Sequence, residues 1–314
     1  MPQTIRVLAA SLTLIAAAAC GTGDGGSILA LAPPPPAPGQ PAGTVMLPAG
    51  ADLPAAVKKV QAAITASGGT VTAVVDHAAN ARAAGAQIPA ATLVVGGTAT
   101  AQLPLVRANQ RAGANLPQRY LLRQDASGAV TLIYNGPDFI AAASGVLDAA
   151  AVGPLADQTT AVVDRATGAP GTHTATALIG VTPTGFLKVV PAKGTVPAIA
   201  DRLRAVAARA PDKVVAALDM AAGSPAGTAP RPTIAVLVSV PTLEAPLLAA
   251  APTLGLELPL RFLVWLDETG TTQVGVTDVT RLAVRHGIRA DDPAVLKLAS
   301  ESDRILKTTA GIAV

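Results

Sequence analysis

One stretch of this chain is written twice. Gly113-Ala114-Asn115-Leu116-Pro117-Gln118-Arg119-Tyr120-Leu121-Leu122, followed by Asp125-Ala126-Ser127-Gly128, returns as Gly255-Leu256-Glu257-Leu258-Pro259-Leu260-Arg261-Phe262-Leu263-Val264, followed by Asp267-Glu268-Thr269-Gly270. The offset is constant, 142 residues from Pro117 to Pro259 and from Gly128 to Gly270, and Pro104 and Pro246 obey it. The chain is therefore a duplicated domain. Its length of 314 residues agrees with about two domains.

Half the residues are hydrophobic but only 2% are aromatic, so the core must be built from Ala, Val, Leu and Ile. With 14% charged residues, a formal net charge of +3 and no basic run, the chain lacks the electrostatic and stacking footprints of nucleic-acid binding. High hydrophobicity with low net charge argues against disorder. A single cysteine leaves no intramolecular disulfide and no Cys-based zinc site. No clustered metal-ligand spacing, nucleophile elbow, phosphate-binding loop or dinucleotide fingerprint is present, so no catalytic residue, metal or cofactor is assigned.

Residues 1–20 read as an export signal. Arg6 supplies a positive start, and Val7 to Ala19 is an uncharged apolar run, too short to span a bilayer comfortably. It ends in Ala17-Ala18-Ala19-Cys20-Gly21, which resembles a bacterial lipobox, although Ala17 stands where such motifs usually carry Leu. The resemblance implies acylation of Cys20 and an exported lipoprotein held on the extracytoplasmic side of a bacterial membrane. The alternative is an ordinary signal cleaved at small residues. Residues 21–43 are Gly- and then Pro-rich, and Ala32 to Pro41 favours an extended polyproline tether.

The first repeat covers residues 44–167, a linker 168–185, and the second repeat 186–314. In each, a short strand leads into a helix. Asp52 and Thr195 suit the N-cap, with Pro54 and Pro197 in the first turn. Val57, Val60 and Ile64 mark one buried face, and Ile199, Leu203 and Val206 the other copy's. Gly68-Gly69 ends the first helix and Pro211 the second. Two strands follow, at 70–75 and 91–95, and at 213–218 and 233–238. A short Ala/Leu-rich helical segment runs into the Gly-x-x-Leu-Pro motif. A hairpin comes next, 119–124 with 130–134 and 261–266 with 272–277, turning at Gly128 and Gly270. Helices at 137–146, 155–166, 279–288 and 293–309 close the copies. Interleaved strands and helices with a hairpin predict an α+β fold, two tandem compact domains with a mixed sheet covered by helices.

The order and spacing of several pieces resemble the domain-of-unknown-function 302 family. They are Val75-Asp76-His77-Ala78 with Ala81 and Gly85, the strand from Leu93 to Gly97, the Gly-x-x-Leu-Pro segment running into Arg119 or Arg261, and Arg285-His286-Gly287-Ile288. The resemblance covers both copies and implies a compact α+β fold with no established activity. Copy two replaces the histidine of Asp76-His77 with Met220, so a chemistry carried by that histidine would belong to copy one alone.

The candidate ligand-binding residues are Asp76, His77, Arg119 and Arg261. Neighbouring strand residues point to opposite faces, so Asp76 and His77 do not form a simple carboxylate–histidine pair, and His77 also reads as structural or solvent-facing. Arg119 and Arg261 occupy one strand position in both copies. They read either as ion pairs with a carboxylate such as Asp125 or Asp267, or as anion binders through the planar guanidinium. His286, beside Gly287, reads as a cation at a helix C-terminus. His173 reads as linker surface. The apolar segment from Leu243 to Leu260 contains prolines, Glu244 and Glu257, which exclude a membrane span and point to packing against protein. These features predict a tethered binding or interaction module whose ligand is a small molecule or an envelope protein, with the copies docked as an intramolecular pseudo-dimer. The alternative is an enzyme with its site near Asp76 and His77.

Overall fold

The computed structural model of the chain describes residues 39–171, 173–183, 186–209 and 212–313. The expected export signal with Cys20, most of the expected tether, and Pro211 lie outside them. Among the described residues no helix is long and apolar enough to cross a membrane.

Copy one runs β1 (Thr44–Pro48), α1 (Leu53–Ala66), β2 (Thr70–Asp76), α2 (His77–Ala83), β3 (Ala91–Gly97), α3 (Ala99–Ala108), a 3-10 turn (Gln110–Asn115), β4 (Arg119–Gln124), β5 (Val130–Asn135), α4 (Pro137–Ser144) and α5 (Ala149–Thr167). Copy two repeats this as β6 (Leu187–Ala192), α6 (Val196–Ala207), β7 (Lys213–Asp219), β8 (Thr233–Ser239), α7 (Pro241–Ala250), a 3-10 turn (Pro252–Leu256), β9 (Leu260–Leu266), β10 (Thr272–Thr277), α8 (Val279–Arg285) and α9 (Pro293–Ala310). The α2 helix has no counterpart helix after β7. The caps follow the sequence: Asp52 and Thr195 accept from the backbone N–H of Ala55 and Ala198. The α5 helix begins earlier than its apolar pattern predicts, at Ala149, because Asp148 caps it by accepting from Ala150 N.

The architecture is α+β, with two five-stranded sheets ordered β1-β5-β4-β3-β2 and β6-β10-β9-β8-β7. The expected mixed sheet is corrected, since every pairing is antiparallel. The reason lies in the connection through α1. It carries the chain from one edge strand, β1, to the opposite edge strand, β2, so the two strands on either side of the helix never pair. The duplication extends to irregularities. The β2–β3 ladder shifts register between Val71 and Ala73, the β7–β8 ladder between Val214 and Ala216, and Leu116-Pro117 and Leu258-Pro259 are both cis.

Strand alternation decides what each sheet buries. On one face of the first sheet, Tyr120, Leu122, Leu132 and Tyr134 pack with Val60 and Ile64 of α1 and Val162 and Val163 of α5. On the other face, Leu93, Val95, Leu121 and Ile133 pack with Leu237 and Leu256 of copy two. The second sheet repeats the scheme, with Phe262 and Val264 packed in the same core as Leu203 of α6 and Leu298 of α9. The side chains on its other face meet copy one: a Cβ placed on Gly113 would lie 3.0 Å from Leu263 Cδ1 and 3.6 Å from Met220 Cγ. Reciprocally, a Cβ on Gly255 would lie 3.1 Å from Leu121 Cδ1 and His77 Cδ2. Leu121 and Leu263 are equivalent positions, as are His77 and Met220. Each copy therefore lays its 3-10 turn on the open sheet face of the other.

Candidate functional site: a charged seam between the repeats

Arg119 and Arg261 begin the alternation that sends Leu121 and Leu263 into this seam, so both guanidiniums enter it. Both side chains are fully buried. Neither pairs with a hairpin aspartate. Asp125 and Asp267 instead accept from Ser127 and Ala129, and from Thr269, Thr271 and Gln273, around their own turns, and those bonds hold Asp267 down to about 2.

The acid in the seam is Glu257, four residues before Arg261. Arg261 Nη2 stands 2.5 Å from Glu257 Oε2, in an ion pair bent away from hydrogen-bonding geometry. Arg285 Nη1 donates to Glu257 Oε1 at 2.6 Å, and Asn135 Nδ2 donates to the same oxygen at 2.9 Å. Burial pushes the Glu257 carboxyl upward, but Arg261, His286 and Arg285 outweigh it and hold it well below the usual carboxylate range. Arg285 reaches further into copy one. Its Nε and Nη2 both donate to Ala42 O, at 2.9 and 2.6 Å, its Nη2 donates to Asn135 Oδ1 at 2.7 Å, and its Cζ lies 3.7 Å above the Phe139 ring centroid. Burial lowers it to about 10, against the pull of Glu257.

Arg119 is placed differently. Its counterpart of Glu257 is Asn115, and its Nη1 donates to Leu256 O at 3.3 Å. Burial and then the charge of Arg261 press its pKa downward. The other seam positions of copy one are also uncharged, with Ala143 matching Arg285 and Ser144 matching His286. The charged network is one-sided although the fold is repeated.

His77 opens α2 rather than ending a strand. Asp76 is its exposed N-cap, accepting from Ala79 N at 2.8 Å, so the two side chains are separated as alternation requires. The His77 ring is buried against copy two, with Nε2 2.9 Å from Gly255 O, and burial lowers its pKa to about 4. His286 differs from its sequence reading. It does cap α8, but its ring is buried with Nδ1 3.0 Å from Thr253 Oγ1, and desolvation lowers it to about 4. A ring neutral at pH 7 gives the helix dipole no cation. His173 is held rather than loose, its Nε2 2.8 Å from Asp164 Oδ1 of α5.

The structure thus brings Arg119, Arg261 and His77 into one seam and leaves Asp76 at the surface. Sequence reasoning missed Glu257, Arg285 and Asn135. The signal for Glu257 was its place four residues before Arg261 in the repeated motif. Among the described residues no group of three or more His, Cys, Asp or Glu side chains could hold a metal ion.

Open space lies at the rim of the seam. A cleft of about 620 Å³ is lined by Gln40, Ala42, Ile179, Phe186, Arg281 and Val284, with Arg285 also on its wall. Ile179 and Val284 are exposed, and Phe186 stacks edge-on to Phe139 with centroids 5.7 Å apart.

The profile of the family described as "Domain of unknown function DUF302" matches twice, over residues 44–168 and 188–308. The chain belongs to that family. Both DUF302 matches contain the Gly-x-x-Leu-Pro motif and one seam arginine. Among solved structures, the crystal structure of uncharacterized conserved protein DUF302 from Bacillus stearothermophilus is 20% identical. It has a TM-score of 0.33 and covers 40% of this chain and 96% of its own. No curated protein matches the sequence.

Proposed function

We propose that the protein is an exported, membrane-tethered binding module, built as an intramolecular pseudo-dimer, that takes a small amphipathic acid. The observation that carries this reading is the cleft of about 620 Å³ where residues 40–42, the inter-repeat linker and α8 meet. It combines exposed Ile179 and Val284 with the exposed cation Arg281. Concave, mostly apolar space with a few polar groups is what small-ligand sites share. Glu257 and Arg285 are engaged with each other and, through Arg285, with Ala42 O and Asn135, and Arg119 and Arg261 are enclosed, which supports a scaffold rather than a reaction centre. An enzyme centred on Asp76 and His77 has less support, because the aspartate caps a helix and the imidazole is enclosed.

Two experiments test this. Anilinonaphthalene sulfonate, an apolar anion, should bind the folded protein, and Val284→Asp should weaken it at least tenfold while leaving Tm within a few degrees. Unchanged affinity in that variant would remove the cleft as the site. For the anchor, mature protein should partition into detergent with acyl mass on Cys20, and Cys20→Ser should release it or block processing. Unmodified wild-type protein recovered wholly in the aqueous phase would reject the lipoprotein reading.

A further inference from the structure

The seam holds more positive charge than its carboxylate balances. Arg119 and Arg261 are buried there, the Arg285 side chain is 3% exposed and reaches the cleft wall, and Glu257 is the one buried carboxylate that touches any of them among the described residues. The nearby acids do not change this. Asp76 is exposed, and Glu244 is occupied with Ser239 and Val240 N. His77 and His286 are neutral at pH 7 and add no charge of either sign. A guanidinium does not escape by deprotonating, and a buried charge without a counter-charge is strongly unfavourable.

The unpartnered donors are specific. Arg261 Nε and Nη1 and Arg119 Nη2 are fully buried and meet no hydrogen-bond acceptor among the described residues. These two guanidiniums converge on consecutive residues of one turn, Arg119 on Leu256 O and Arg261 on the Glu257 carboxylate. Every nitrogen of Arg285, in contrast, has a partner, in Glu257, Asn135 or Ala42. The surplus of charge and the surplus of donors therefore fall on the same pair of residues. They also fall where the two copies present equivalent positions to each other.

We propose that Arg119 and Arg261 together bind a small inorganic anion of halide size, held inside the seam as a structural counter-ion. Both side chains are enclosed, at 2% and 1% exposure, so a bulky organic acid has no way to reach them, whereas a halide needs only donors and charge. Asn115 gives the argument its chemistry. Where copy two supplies its own anion as Glu257, copy one has a neutral amide, and the diffusible ion stands in for the missing carboxylate. This site is separate from the cleft and does not depend on its ligand.

The test uses the full chain in halide-free gluconate buffer. Replacing gluconate by chloride at constant ionic strength should raise Tm by roughly 4 °C or more once chloride saturates the site. Bromide-soaked crystals should show an anomalous peak within hydrogen-bonding distance of both guanidiniums. Arg119→Met should keep the fold, since an apolar side chain is tolerated in place of a buried charge, and should flatten the chloride dependence. A Tm indifferent to chloride together with no anomalous peak at the arginines would overturn the proposal. So would a chloride effect of full size in Arg119→Met, or a bromide site only elsewhere. Should Arg119→Met not fold, the wild-type titration and the bromide map decide alone.

Discussion

Gly255 gives its carbonyl oxygen to His77 Nε2 at 2.9 Å while its α-carbon faces the edge of the same ring. The residues are 178 positions apart and belong to different repeats. Neither Gly255 nor its equivalent Gly113 has a positive φ, so glycine is required by proximity and not by backbone conformation. An added methyl would stand 3.1 Å from His77 and Leu121 at Gly255, and 3.0 Å from Leu263 at Gly113. Gly255→Ala and Gly113→Ala should each destabilise the protein by about 1–3 kcal/mol, as overpacking does. Chemical denaturation reads this directly, and a pair of neutral substitutions would mean that the repeats do not approach as closely as described.

His77→Gln should leave stability within about 1–2 kcal/mol, because a glutamine amide can still donate to Gly255 O. His77→Leu should cost more, since it leaves that carbonyl without a side-chain donor. Any ligand binding should stay within a few fold in both variants. A drop of two orders of magnitude in binding or turnover with the fold intact would restore His77 as a reacting group.

The repeat was legible in the sequence because its spacing was fixed by Pro, Gly and Arg, residues with few substitutes at a tight turn or a strand start. The hairpins and helix caps were legible for the same local reason. The antiparallel sense of every strand pairing was not. Whether β1 and β2 are neighbours or opposite edges depends on where β5 inserts, a long-range pairing with no local signature. The burial of Arg119 and Arg261 was half legible: position and alternation were readable, but the face they enter is covered by the other copy. Glu257 was read as evidence against a membrane span when its relation to Arg261, four residues on, was the informative one. His286 misled because its place beside Gly287 is a sound helix-end signal, while its burial comes from Thr253 and Glu257 in another segment.

Glu257→Gln should be among the most damaging single changes. It removes the counter-charge of Arg261 and Arg285 together and leaves both guanidiniums buried, which costs roughly 3–5 kcal/mol for a broken buried pair. Arg285→Met alone should cost less than this, because Glu257 keeps Arg261. The double variant Glu257→Gln with Arg285→Met should fall short of the sum of the two singles, the sign of a shared network. Strict additivity in urea unfolding would mean that the three groups do not act as a unit.

The pH dependence of stability should separate a second buried acid from the histidines. Glu244 is enclosed, with Ser239 Oγ donating to Oε2 at 2.8 Å and Val240 N to Oε1 at 3.0 Å, and no cation beside it among those bonds. Burial raises it from 4.5 to about 7 in spite of these donors. A raised carboxyl contributes stability that is fully present below its unfolded value and disappears as pH climbs through 7, roughly 3 kcal/mol in all. The lowered histidines act the other way. Stability from His77 and His286 is complete above 6.5 and is lost as pH falls toward 4. Wild-type protein should therefore be most stable at mildly acid pH and weaken on both sides. Copy one has Gln102 at the position of Glu244, so Glu244→Gln should fit the site. Between pH 5 and 8 that variant should lose most of the alkaline decline, leaving a smaller slope from Asp212, which burial raises to about 6. Because Glu244 titrates over 4.5 to 7 and opposes the histidines over most of their own range, the acid limb of that variant should steepen. Melting curves across this range check the assignment, and an alkaline decline of equal size in wild type and Glu244→Gln would place its origin elsewhere.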